Sequence, residues 1–240
     1  MMTFAKRCAK EILRDPINLG FGLGFPLVLL LLLSAIQANV PVELFAIDTL
    51  TPGITVFGLS FMTLFSATLV AKDRESAFLQ RLYTMPLRGF DFILGYMLPL
   101  LPIAIGQTAI CYLAAIPLGL TVRINIVYAV VGILPMAVFN IALGLLCGSM
   151  LGVKQVGGIC GALLTNLSAW LSGVWFDLQL VGGLFEKIAN VFPFVHAVQM
   201  ERALCGGDFP PTTHILYVLA YSAVVTASAV WCFLGQMKRQ

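Results

Sequence analysis

The chain has 240 residues, of which 60% are hydrophobic and 10% charged. Soluble domains run near 45–50% apolar and about 25% charged, so an ordinary water-soluble fold is excluded. The net charge of +3 reflects an uneven placement of a few Lys and Arg residues and gives no sign of nucleic-acid binding.

Residues 3–15 place Phe4, Cys8, Ile12 and Leu13 on one side of a helix, with Lys6, Arg7, Lys10, Glu11 and Arg14 on the rest. That pattern predicts a short amphipathic helix lying in the membrane interface, ended by Pro16. Six stretches then lack Asp, Glu, Lys and Arg, near 19–38, 50–71, 92–116, 126–150, 156–176 and 214–236. Each has about the 20 residues a helix needs to cross a bilayer. Lipid offers the backbone no hydrogen-bond partner, so each is expected to be helical. The first is longer than the 7–15-residue apolar core of a signal peptide and is read as a span. The fold class predicted is an all-α membrane protein with six transmembrane helices.

If the N-terminus is cytoplasmic, the inside segments hold 11 Lys and Arg residues and the outside segments hold Arg123, Lys187 and Arg202. This imbalance predicts that both termini are inside. The second span carries Phe57, Phe61 and Phe65 at i+4 steps, hence on one face. Pro99 and Pro102 lie within the third and remove backbone donors. Gly144, Gly148 and Gly152, with Gly157 and Gly161, have the small-residue spacing that brings helices close.

Between spans two and three, KDRESAFLQRLYTMPLRGFD (72–91) contains seven charged residues. Residues 73–85 read as a helix beginning at Asp73, which suits the positive end of the dipole, and closed by Pro86. Phe78, Leu79, Leu82 and Tyr83 fall on one side. So short a helix is marginal in water and needs a surface to rest on. Residues 177–211 are apolar but interrupted by Glu186, Lys187, Glu201 and Arg202. They suit short helices that dip into the outer leaflet and break near Pro193.

No segment supplies its own energy source. There is no G-x-x-x-x-G-K-[ST] phosphate-binding loop, and the spans lack the ionisable relay of ion-coupled carriers. His196 and His214 fall near the outer end, where packing or interfacial hydrogen bonding is expected. The six cysteines form no C-x-x-C pair and give no disulfide framework or zinc site. Neither a catalytic constellation nor a cofactor site is apparent, so transport would require energy from a partner.

Residues 74–99, RESAFLQRLYTMPLRGFDFILGYMLP, resemble the region between spans two and three of type-2 ABC transporter permeases, particularly those of drug-resistance exporters. Glu75, Leu79, Arg81, Leu82, Thr84, Pro86 and Leu87 match the family pattern; Ser76, Ala77 and Tyr96 depart from it. The run 193–209, PFVHAVQMERALCGGDF, is similar to the stretch before that family's last span. The resemblance implies a coupling helix at 73–85 seated in a separate ABC ATPase subunit, which would hold the ATP and Mg. It implies polar contacts from Arg74, Glu75 and Arg81, and a packed face of Phe78, Leu79 and Leu82. It further implies a second permease, identical or different, with a substrate path along spans two and five. Phe57, Phe61, Phe65, Asn166 and Trp170 are the candidate lining residues. An uncharged path suits a hydrophobic or amphipathic cargo such as a drug, antimicrobial peptide or lipid. The alternative is an accessory membrane protein, a sensor or immunity factor, that transports nothing. On the leading reading the chain is one permease domain spanning the cell membrane.

Overall fold

A computed structural model describes residues 2–40, 45–76, 89–176 and 178–237, and these contain helices and no strand. Five helical stretches are long and apolar enough to cross a membrane: Pro16–Gln37, Ile47–Glu75, Asp91–Leu118, Asn125–Met150 and Thr212–Gly235.

The first helix, α1 (Met2–Leu13), buries Phe4, Cys8 and Ile12. That stripe rests against the rest of the bundle. The ring of Phe4 meets Tyr96 edge-on at 4.8 Å and Phe92 at 6.2 Å. Asp15 then caps α2 (Pro16–Gln37), its carboxylate accepting from the Asn18 backbone N–H at 3.3 Å and side-chain amide at 2.7 Å. Pro16 is therefore the first residue of the next helix, where its missing N–H costs nothing.

The second stretch is two helices in line, α3 (Ile47–Gly58) and α4 (Ser60–Glu75). Their junction has a physical cause at Gly58. A Cβ there would collide with the Gln107 side chain and lie 2.9 Å from Pro26. Beyond it the chain tightens, with the Leu59 N–H bonding the Val56 carbonyl at 3.2 Å. The third stretch, α5 (Gly89–Ala115), stays helical through Pro99 and Pro102. It passes through a short 3-10 turn to Gly119, at φ 110°. Next come α6 (Asn125–Gly132) and α7 (Leu134–Met150).

At the centre of the bundle α4 lies on α7. Gly148 sits so close that an added Cβ would be 2.5 Å from the Ala67 carbonyl oxygen, and Gly144 is equally pressed against Thr63 and Ser66. The approach lets polar side chains bond the neighbouring backbone: Ser66 Oγ donates to the Ile141 carbonyl at 3.0 Å, and Thr63 Oγ1 to that of Asn140 at 3.0 Å. Each such bond in a membrane contributes about 0.6 kcal/mol, so close packing carries most of the association. The far face of α7 packs on the last helix, α13 (Thr212–Met237).

The stretch expected as a fifth α-helical span behaves differently. Helical residues run from α8 (Val153–Val156) through a π-helical segment (Gly157–Leu164) into α9 (Thr165–Ser172). The Thr165 hydroxyl donates to the Cys160 carbonyl, five residues back, at 3.1 Å. The wider winding follows from a glycine-rich, sparsely packed sequence: a Cβ at Gly157 or Gly158 would meet nothing. Gly173, at φ 69°, stops the helix. Three further helices, α10 (Leu178–Val181), α11 (Gly183–Val191) and α12 (Pro193–Gly206), precede α13.

Candidate functional site

Two groups of residues stand out, one at the α1 end of the bundle and one on its flank. At the α1 end, Asp73 lies in the last turn of α4 and is only 1% exposed. The guanidinium of Arg7 grips it with two bonds, 2.7 Å to Oδ2 and 2.5 Å to Oδ1, and also pairs with Glu11 at 2.9 Å. The Tyr96 hydroxyl donates to Asp73 Oδ2 at 2.8 Å. Three helices thus meet on one carboxylate. The bonds to Asp73 hold the Arg7 guanidinium above its ordinary pKa, and burial pushes the neighbouring Cys8 thiol up to about 12. Both effects keep the cluster in one charge state across the physiological range. Beside it Lys72 reaches Asp15 at 3.5 Å. Burial works against ionisation of Asp15, yet the bonds from Asn18 and the nearby Lys72 draw its carboxyl below the usual range.

This arrangement revises the sequence reading of Asp73, which closes α4 and does not open a separate helix. It also defines the surroundings of Arg74 and Glu75. Arg74 donates to the carbonyls of Ser149 and of Leu151, the latter at 2.7 Å. Glu75 accepts the Val153 N–H at 2.9 Å, at the start of α8. Both side chains strap α4 to the turn between α7 and α8. The other four residues expected at the ATPase contact, Phe78, Leu79, Arg81 and Leu82, lie outside the described residues.

On the flank, a groove of about 480 Å³ is lined by Phe21 and Phe25 of α2, Phe57 and Phe61 of the second stretch, and Thr165, Asn166 and Trp170 of α9, with Trp175 and Phe176 beyond. Four of the five candidate lining residues are brought together here. Trp170 is 51% exposed, and the amide of the exposed Asn166 donates to the Ala162 carbonyl at 2.8 Å. The aromatic wall is continuous: Phe57 lies 6.1 Å from both Phe61 and Trp175, and Phe25 lies 5.7 Å from Phe61.

Phe65 takes no part in this wall. Its ring presses on Gly22 of α2, where a Cβ would strike it, and borders a small cleft with Ile12, Asp15 and Lys72. Phe65 is eight residues, about 12 Å, along the stretch from Phe57, so its ring lies beyond the groove, toward the α1 end.

Sequence reasoning missed Arg7, Asp73 and Tyr96 as a unit, although a carboxylate just beyond an uncharged span and an arginine on an adjoining amphipathic helix were both visible. It also missed Glu201 and Tyr112, a buried pair between α12 and α5. His196 and His214 do pack together, Nδ1 to Nδ1 at 2.8 Å, while His196 Nε2 bonds the Asn190 carbonyl at 2.9 Å.

The family profile described as "ABC-2 type transporter" matches residues 1–204. With most of its length matched, the chain belongs to the ABC-2 type transporter family and is a multi-pass membrane permease of that class. Comparison with curated proteins gives no match.

Proposed function

We propose that this permease is the membrane half of an ATP-driven exporter of hydrophobic or amphipathic molecules. Its energy comes from a separate ABC ATPase that binds ATP and Mg and docks at the α1 end, on the segment that follows α4. The basic residues crowded at that end support a cytoplasmic position for it and for both termini in the plasma membrane. On this reading the π-containing stretch is a sixth span, and 177–211 forms the outer side. The whole chain works as one domain.

The observation that carries the reading is the aromatic groove. It holds aromatic rings, the Asn166 amide and the Thr165 hydroxyl, and among the described residues no ionised group lines it. An open flank of this chemistry suits cargo with an apolar body and few charges. A second permease, the same chain or a similar one, closes it into a path. Arg74 and Glu75 pass movement at the ATPase on to α8 and so to the π-helical wall.

The test is ATP hydrolysis by the assembled complex in lipid discs, titrated with cationic and neutral amphipathic dyes. Trp170→Ala and Asn166→Leu should raise the dye concentration giving half-maximal stimulation about tenfold, which corresponds to roughly 1.4 kcal/mol, with basal hydrolysis unchanged. Dye stimulation identical to the parent protein's would overturn the assignment of the groove.

A further inference from the structure

Among the described residues, Asp73 and Glu201 are the two buried carboxylates. Their surroundings differ sharply. Asp73 has the two bonds from Arg7, whereas Glu201, 0% exposed on α12, has no cation bonded to it. Its Oε1 accepts from the Tyr112 hydroxyl at 3.0 Å, and its Oε2 has no partner. That second oxygen faces Gly132 of α6, where an added Cβ would stand 4.0 Å away. The helix that carries Glu201 packs against α3, where the Arg202 Nε–H donates to the Thr49 carbonyl at 3.2 Å. The carboxyl thus lies where α12 meets α5 and α6, on a helix that also packs against α3.

An ionised carboxylate buried with a single donor carries a large desolvation cost, and a neutral acid avoids it. Burial pushes the Glu201 carboxyl well above the ordinary carboxylate range; the Tyr112 bond, acting the other way, is too little to offset it. The groups around it do not change the balance. Tyr112 and Cys205 are themselves acids kept neutral at ordinary pH. Asp48 at the start of α3 adds negative charge. Arg123 is bonded to the Gly206 carbonyl and Arg202 to that of Thr49. On α11, Glu186 and Lys187 remain on the outer layers, His196 and His214 bond each other, and α9 has no ionisable residue.

We propose that Glu201 is a proton latch: uncharged, it seals α12 against α3, α5 and α6, and on losing its proton to entering water it releases them. The latch adds to the exporter reading, and rests on it only in taking this end as the outer one. Its link to the groove is α3, which packs on α12 and carries Phe57 of the groove wall. Closure returns a proton to the carboxyl from water at the same end, so no other reactant is needed. The closed form binds the extra proton, so its stability relative to the open form falls as pH rises above the ordinary carboxylate value of about 4.3.

The purified full chain in lipid discs tests this without ATP or cargo, so its failure is distinguishable from failure of the exporter reading. Infrared spectra at neutral pH should contain the carbonyl band of a neutral, buried carboxylic acid that is lost in Glu201→Gln. Amide exchange over 193–206, corrected for its intrinsic pH dependence, should speed up about tenfold or more on raising the pH into the alkaline range. In Glu201→Gln it should stay flat. Absence of the band in the parent protein, or equal alkaline loosening in both proteins, would overturn the latch. If Glu201→Gln folds poorly, the parent decides alone: a band that fades as exchange rises supports the latch, and exchange unchanged by alkali contradicts it.

Discussion

Arg7 and Asp73 were within reach of sequence reasoning as charges but not as a pair, since 66 residues separate them. A charged residue at the edge of an apolar run reads as a boundary, and only the packing of Phe4, Cys8 and Ile12 turns α1 so that its arginine meets the carboxylate. Removing one member of a buried pair typically costs 3–5 kcal/mol; because Arg7 is partly open to water, Arg7→Ala should cost roughly 2–3 kcal/mol. Thermal unfolding in mild detergent should show the fall, with a smaller one in Arg7→Lys, which keeps the charge but loses the forked grip. Equal stability of Arg7→Ala and the parent would show that the cluster does not anchor α1. Glu201 was hidden for a related reason: with Glu186, Lys187 and Arg202 it read as an interruption in an apolar segment of short helices, while the fold turns it inward.

At the scale of elements, the apolar stretches were legible because twenty uncharged residues leave a helix as the one way to satisfy the backbone. What the pattern did not contain was the internal geometry of those helices. Gly58 breaks the second stretch where Gln107 and Pro26 crowd it, and Gly157–Leu164 winds as a π-helix where nothing meets Gly157 or Gly158. The glycine spacing gave a correct close approach at Gly144 and Gly148 but not at Gly157, which touches nothing. Gly144→Ala or Gly148→Ala should therefore destabilise by about 1–3 kcal/mol, whereas Gly20→Ala and Gly24→Ala should stay within about 0.5 kcal/mol of the parent. Detergent unfolding midpoints compare all four directly. The straps from α4 give another element-scale expectation. Replacing Arg74 and Glu75 by Ala and Gln should leave membrane insertion and ATPase assembly intact but cut dye stimulation of hydrolysis about tenfold, because α4 no longer holds the α7–α8 turn. Unchanged stimulation would remove these two residues from the transmission path.

For the whole molecule, most of the architecture and four of the five groove residues could be read in advance, through apolar run lengths and a family resemblance covering almost the entire chain. Phe65 could not, because i+4 spacing fixes a helix face but not which neighbour that face meets two turns further along. On the proposed function, movement in this bundle is driven from outside it. The most direct measurement is to solubilise the tagged chain gently from its native membranes and identify what co-purifies by mass spectrometry. The account predicts a stoichiometric subunit carrying a G-x-x-x-x-G-K-[ST] loop, lost when residues 78–82 are altered. A chain that purifies alone in several mild detergents would contradict it.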